Sequence, residues 1–141
     1  MKQVGFIYIP RKNSQLRAIF YRKKSLKDFN FSSVDDFLNW YNTQDPICSV
    51  CGVHEALLQE LVLGGKLKSK RFPLNGLISK GRARGVWLEI DRDNSDLGYS
   101  KGNCSLICYF CNNDKSDVFT KSEYLDFSTN RYNYLKGLLE K

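Results

Sequence analysis

The sequence predicts an α+β fold in which a short β-hairpin and the helix that follows it are held together by a bound metal ion. Between Trp87 and Asp117, a strand-like segment is followed by a polar, glycine-containing loop, a Cys-x-x-Cys pair and a polar helix start. A second Cys-x-x-Cys pair lies upstream, at Cys48 and Cys51. Two such pairs suit one tetrahedral zinc ion, because each pair supplies one edge of the tetrahedron. We therefore expect a small fold of treble-clef type, with flanking helices and an N-terminal β segment.

Length and composition favour one globular domain. The chain has 141 residues, of which 42% are hydrophobic and 26% charged, enough for a modest core. We divide it into N-terminal strands and a helix (1–47), a zinc-bound core (48–119) with a basic insertion (64–85), and a C-terminal helical tail (120–141). No apolar run approaches the ~20 residues of a membrane span, and the amino terminus is a poor secretory signal. We expect an intracellular, cytoplasmic protein without a membrane partner.

The N-terminal part is expected to contain two strands and a helix. Residues 4–10 (VGFIYIP) are aromatic and β-branched and end at a proline, which is typical of a strand. Residues 16–21 are expected to return as a second strand after a turn. Ser32 or Ser33 can cap a helix over residues 34–42, whose first turn contains two favourable aspartates.

The remaining elements are read from apolar periodicity and from glycine positions. Residues 54–63 (HEALLQELVL) predict a helix that ends at Gly64 and Gly65. Strand-like sequence resumes at Val86, and a helix is expected to begin at Asn112. Thr120 can cap a further helix, and the apolar tail beyond it could close the core or pair with a second copy.

The chain's other thiol and its one histidine receive structural interpretations. Cys104 is the one cysteine outside the two Cys-x-x-Cys pairs, and its apolar neighbours suggest a small buried hydrophobic side chain. His54 stands near the start of a predicted helix. We interpret it as facing solvent or packing against the helix, rather than as catalytic.

The charge distribution indicates a polyanionic partner. The formal net charge is +7 and the pI about 9.2, and nucleic acid is the commonest polyanion that proteins bind. No acidic residue occurs between Leu61 and Leu88, yet seven cations fall there: Lys66, Lys68, Lys70, Arg71, Lys80, Arg82 and Arg84. A smaller cluster consists of Arg22, Lys23 and Lys24. The alternatives are a merely basic protein and, for the small cluster, a solvated loop.

Candidate catalytic residues lie on the hairpin and on the helix that the zinc would fix together. Glu89 and Asp91 alternate on a strand and can therefore point to one face. Asn112 directly follows the last cysteine of the pair Cys108 and Cys111. A carboxylate and an amide oxygen brought together here could hold a hard divalent cation such as Mg²⁺. In isolation, these would be ordinary surface residues.

Two further side chains complete this candidate site. Arg92 could bind a phosphate through its planar guanidinium group. Tyr99 follows the hairpin glycine Gly98 and could orient or deprotonate an attacking water.

Residues 88–115 resemble the HNH, or ββα-metal, endonuclease superfamily, whose motif pairs Asp-His on the hairpin with Cys-x-x-Cys-Asn-x-x-Lys on the helix. The corresponding residues here are Asp91-Arg92 and the run from Cys108 to Lys115. The resemblance implies a metal-dependent endonuclease, with Asp91 and Asn112 as ligands of the catalytic cation and Lys115 among the DNA contacts. Arg92 replaces the general-base histidine, and an arginine stays protonated at neutral pH.

The similarity is greatest to restriction endonucleases of this superfamily. By that resemblance, Arg92 is a phosphate clamp and Tyr99 a candidate base. Those relatives also have an upstream active-site histidine, for which Asp28 is the nearest position here. Duplex DNA is the expected substrate. A homodimer is expected, because cutting both strands needs two active sites.

Two alternatives remain open from the sequence. The missing histidine could mean a catalytically inactive, zinc-containing DNA-binding module. The scaffold could also serve as a protein-binding inhibitor or adaptor. Cleavage of plasmid DNA with Mg²⁺ would indicate the enzyme. Salt-sensitive DNA binding without cleavage would indicate the inactive DNA-binding module, and no DNA binding at low salt would indicate the protein-binding module.

Overall fold

The computed structural model describes residues 7–25, 28–74, 76–79, 81–125 and 131–140. Within these ranges the chain forms helices and one two-stranded sheet. The elements in chain order are α1 (Asn13–Lys23), α2 (Val34–Asn42), α3 (Glu55–Leu63), β1 (Glu89–Arg92), β2 (Cys104–Ile107), α4 (Tyr109–Lys115), α5 (Lys121–Leu125) and α6 (Arg131–Leu139).

The predicted hairpin and its following helix are confirmed. Strands β1 and β2 pair antiparallel, with Asp91 opposite Ser105. Helix α4 follows β2 after one residue, and the side chain of that residue, Cys108, accepts a hydrogen bond from the backbone N–H of Cys111. The helix therefore begins at Tyr109 rather than at the predicted Asn112. The prediction of a treble-clef arrangement around the zinc ligands stays a prediction.

The N-terminal segment corrects one expectation. Residues 16–21, predicted as a strand, belong to helix α1. Leu16, Ile19 and Phe20 are its buried residues, and their spacing of three and four is the helical repeat rather than the alternation of a strand. The predicted strand over residues 4–10 lies partly outside the described residues, and residues 7–10 form no strand.

Helices α2 and α3 form where the sequence predicts them. The Ser33 side chain accepts a hydrogen bond from the backbone N–H of Asp36 and so caps α2. His54 caps α3 by accepting from the backbone N–H of Ala56. Both contacts satisfy N–H groups that have no partner within the helix. The two helices pack their apolar residues into the main core beside Leu88, Ile90 and Leu106.

The basic insertion is fixed to the rest of the fold by a smaller apolar cluster. Phe72 is buried in it against Val62, Trp87 and Tyr109. The insertion approaches this ring closely at Gly85, whose φ is +90 and where an added Cβ would lie 2.7 Å from the Phe72 ring. No helix in the described part of the chain is long and apolar enough to span a bilayer.

Candidate functional site

The four cysteines of the two Cys-x-x-Cys pairs converge on one point. Their sulfur atoms all lie within 4.8 Å of one another, and Cys51 Sγ is 3.9 Å from Cys108 Sγ. A tetrahedron with Zn–S bonds of about 2.3 Å has edges of about 3.8 Å. The backbone N–H groups of Cys51 and Cys108 point at Cys48 Sγ, with N···S distances of 3.5 and 3.3 Å. Such bonds favour thiolates, so Cys48, Cys51, Cys108 and Cys111 fit a structural metal such as zinc.

The remaining cysteine and the histidine occupy the positions expected of structural residues. Cys104 is buried in the main core, and burial raises the pKa of its thiol to about 11. His54 is exposed at the start of α3, and its ring meets the Tyr8 ring edge-on at 5.9 Å. Neither residue belongs to the thiolate cluster.

An open cleft of ≈ 760 Å³ lies between helix α1, strand β1 and one side of α4 with the residues that follow it. Asp91, Arg92, Tyr99 and Asn112, the four predicted catalytic residues, all line it. Three different parts of the chain supply them: β1 supplies the first two, the hairpin loop the third and α4 the fourth. The cysteine cluster holds this arrangement because Cys108 and Cys111 bracket the first turn of α4, directly before Asn112.

Asp91 is held by a buried lysine. Lys115 Nζ lies 2.8 Å from Asp91 Oδ2 and donates to the Arg92 carbonyl oxygen at 3.0 Å. The Lys115 side chain is 0% exposed and that of Asp91 14% exposed. Burial raises the pKa of Asp91, and the hydrogen bond from Lys115 opposes that shift. A side chain without solvent exposure cannot reach a phosphate, so the prediction that Lys115 contacts DNA is wrong: the lysine orients Asp91 instead.

Asn112 is held from the opposite side by Glu89. The Asn112 amide nitrogen donates to Glu89 Oε1 at 2.8 Å. Glu89 in turn accepts two hydrogen bonds from Arg84, through Nε at 2.9 Å and through a terminal nitrogen at 2.6 Å. The guanidinium also lies over the Tyr109 ring, 4.6 Å from its centroid. The basic insertion is thereby connected to the cleft.

Arg92 is held by a residue that was not among the predicted site residues. A terminal nitrogen of its guanidinium donates to Asp28 Oδ2 at 2.8 Å. The segment containing Asp28 is fixed to the hairpin loop, since the Tyr99 N–H donates to the Asp28 carbonyl and the Asn30 N–H to the Tyr99 carbonyl, each at 2.7 Å. Arg92 and Asp28 stand 64 positions apart in the sequence. The only sequence signal for Asp28 was therefore its rough correspondence to the upstream histidine of the related restriction endonucleases.

The Tyr99 ring lies between two cations. The Arg92 guanidinium is 4.9 Å and Lys23 Nζ 4.8 Å from the ring centroid. Burial raises the pKa of Tyr99, and Arg92 opposes that shift. Burial also lowers the pKa of Lys23, with Arg22 and Arg92 adding to the effect. A phenol with a raised pKa keeps its proton at neutral pH, which favours orienting a water over deprotonating it.

The predicted DNA-contacting cations divide into two groups. Arg22, Lys23 and Arg84 line the cleft. The others described, namely Lys24, Lys66, Lys68, Lys70, Arg71 and Arg82, are not part of its lining, and Lys80 lies outside the described residues. Of these, Lys68 and Arg82 line a second cavity of ≈ 460 Å³ between the end of α3 and the insertion. DNA contact by these cations stays a prediction.

Arg11 also lines the cleft and was missed by the sequence analysis. Its guanidinium lies 5.4 Å from the Trp87 ring centroid and donates to the Leu88 carbonyl oxygen at 3.0 Å. It lies close to the start of α1, and no sequence pattern pointed to it because this segment was expected to form two strands. The helix that forms instead presents Gln15, Ala18 and Ile19 to the cleft as well.

Comparison with known proteins identifies a structural relative. The fold is similar to the solved structure of the rare-cutting HNH restriction endonuclease PacI, with a TM-score of 0.66 and 26% sequence identity. The similarity covers 89% of this chain and 80% of that chain. No protein-family model matches the sequence, and no curated protein matches it.

Proposed function

The chain is related to the HNH restriction endonuclease PacI, and we propose from this relationship that it is a metal-dependent endonuclease that hydrolyses phosphodiester bonds of duplex DNA. The observation that carries the proposal is the meeting of Asp91, Arg92, Tyr99 and Asn112 in one cleft of an HNH-like fold. Residues 48–119 would form the catalytic unit and the basic insertion a DNA-contacting surface.

Asp91 and Asn112 are the residues that would hold the catalytic cation. A carboxylate oxygen and an amide oxygen are the ligand types that Mg²⁺ prefers, and two protein ligands leave several positions for water and phosphate. The surroundings fit this role, because Lys115 fixes the carboxylate and Glu89 fixes the amide. A bound divalent cation supplies electrostatic stabilisation of the charge that develops on the scissile phosphate and on the departing oxygen.

Arg92 and Tyr99 would act on the other groups of the reaction. The Arg92 guanidinium lines the cleft and is partly exposed, so it can bind a phosphate oxygen. The Tyr99 hydroxyl would orient the attacking water as a hydrogen-bond donor or acceptor. Arg22 and Lys23 on α1 would hold the neighbouring backbone phosphates, since they line the opposite wall of the cleft. Two such sites are needed to cut both strands, so we propose a homodimer.

Plasmid cleavage tests the proposal. Purified zinc-loaded protein is incubated with supercoiled plasmid and Mg²⁺, and the products are mapped by sequencing the cut ends. Asn112→Ala should abolish cleavage. The matched control is Asn113→Ala, because Asn113 is the exposed next residue of the same helix. Cleavage that is unchanged in Asn112→Ala would refute the assignment of the site.

One observation favours a second candidate, a catalytically inactive DNA-binding module. The only histidine of the chain, His54, does not line the cleft. The raised pKa of Tyr99 keeps the phenol protonated at neutral pH, so little phenolate is present to act as a base. This candidate predicts DNA binding that weakens steeply with salt but no cleavage with any divalent cation. The plasmid assay, read together with a binding titration at two salt concentrations, separates the two functions.

A further inference from the structure

An asparagine that ligates a cation must be oriented, because the two ends of its amide are chemically opposite. Oδ1 is an acceptor and can face a cation, whereas the NH₂ group is a donor and repels it. The two ends are nearly equal in size, so packing distinguishes them poorly. Orientation must therefore come from a hydrogen-bond partner that accepts only one end.

Glu89 is such a partner for Asn112. An ionised carboxylate has no proton to donate, so it can face only the NH₂ end of the amide. The distance from Asn112 Nδ2 to Glu89 Oε1 is 2.8 Å. This bond commits the nitrogen to Glu89 and leaves Oδ1 on the other branch of the amide. Turning the amide over would place Oδ1 against a carboxylate oxygen, an unfavourable contact between two acceptors.

Arg84 fixes the carboxylate itself. The bidentate pair with Arg84 sets the plane of the Glu89 carboxylate. The arginine is fixed in its turn, since its side chain lies over the Tyr109 ring and its backbone N–H donates to the Arg71 carbonyl oxygen at 3.0 Å. Arg84, Glu89 and Asn112 thus form a chain of directed contacts from the basic insertion to the cleft.

We propose that Glu89 is a positioning residue: held by Arg84, it orients the Asn112 amide so that Oδ1 faces the cation. In this role Glu89 is neither a cation ligand nor a base. This inference rests on the proposed function, because it presupposes a cation at Asp91 and Asn112. It also assigns the insertion a part in assembling the site in addition to contacting DNA.

The test measures Mn²⁺ affinity directly, without DNA or turnover. Mn²⁺ is titrated into the zinc-loaded protein, and the free ion is followed by its electron paramagnetic resonance signal. Glu89→Ala removes the acceptor and should weaken binding by about tenfold, the lower end of the usual effect of residues that orient metal ligands. In Glu89→Gln the amide oxygen is favoured at the Oε1 position, because both Arg84 and Asn112 donate to that position. The variant therefore keeps an acceptor for the Asn112 NH₂ group and should stay within about threefold of the unmodified protein.

Two controls make the result specific. Asp96→Ala removes an exposed carboxylate from the hairpin loop and should leave Mn²⁺ affinity unchanged. The Mg²⁺ concentration that gives half-maximal plasmid cleavage should rise in Glu89→Ala by the same factor as the Mn²⁺ dissociation constant, since the variant affects cation binding alone. Circular dichroism verifies that each variant is folded.

Several outcomes would overturn the inference. Unchanged Mn²⁺ affinity in Glu89→Ala shows that Asn112 needs no such partner. Equal losses in Glu89→Ala and Glu89→Gln show that the charge of Glu89, or direct ligation by it, is what matters. Asn112→Ala separates this failure from failure of the proposed function. If Asn112→Ala abolishes Mn²⁺ binding while Glu89→Ala does not weaken it, only the positioning role of Glu89 is refuted. If Asn112→Ala binds Mn²⁺ normally, the cation site is wrongly assigned and both proposals are refuted.

Discussion

Replacing Asp91 should destabilise the fold as well as the site. In Asp91→Ala the Lys115 ammonium keeps only its hydrogen bond to the Arg92 carbonyl oxygen, in a position that is 0% exposed. Removing one partner of a buried ion pair typically costs about 3–5 kcal/mol, because the other charge is left buried and uncompensated.

Urea denaturation in the presence of excess zinc measures this loss as a difference in unfolding free energy. Asn112→Ala is the comparison within the same cleft. It removes one hydrogen bond from a group that keeps its Arg84 partner and should cost no more than about 1.5 kcal/mol. The double variant Asp91→Ala/Lys115→Met should recover most of the loss, because an apolar side chain of similar volume leaves no buried charge.

A deficit below about 1 kcal/mol or no recovery in the double variant would refute this account of Lys115.

Three further predictions concern other parts of the molecule. Removing the metal with a strong chelator should unfold or loosen the domain, because metal-binding energy in such domains is folding energy. Full thermal stability after verified metal loss would contradict the four-thiolate site. Metal analysis of the untreated protein should find one zinc ion per chain. Tyr99→Phe should lower the cleavage rate at least about tenfold, as expected for a residue that orients a reacting group, while DNA affinity measured with Ca²⁺ stays nearly constant; unchanged turnover would remove Tyr99 from the mechanism. The Glu55 carboxylate accepts hydrogen bonds from the Tyr8 hydroxyl and from the Leu88 N–H, and burial raises its pKa. The folded state therefore holds the Glu55 proton to higher pH than the unfolded state. This proton uptake stabilises the fold in acid, and the stabilisation is lost as pH rises through the raised pKa. Relative to the unmodified protein, Glu55→Gln should accordingly gain stability between acid and neutral pH in urea titrations, and a difference that is constant with pH would count against the burial effect.

Sequence patterns predicted local structure correctly where one short segment contains all the residues that form the structure. The alternation of Glu89 and Asp91, the cap at Ser33 and the glycines after α3 are all such cases. The error at residues 16–21 has a related cause. A run of six residues with aromatic and β-branched members fits a strand in isolation, and the helical spacing of Leu16, Ile19 and Phe20 becomes decisive only once their common burial is known.

By itself, the sequence predicted the cluster of four cysteines, the hairpin-and-helix unit and the candidate residues Asp91, Arg92, Tyr99 and Asn112 that line one cleft, because the Cys-x-x-Cys spacing and the strand period are local properties of the chain. The tertiary structure decided what holds those residues. Asp28 reaches Arg92 across 64 positions, and Lys115 is buried against Asp91 rather than exposed. Contacts between charged side chains distant in sequence depend on how the elements pack and on which groups lose their water, and neither is encoded in a local pattern.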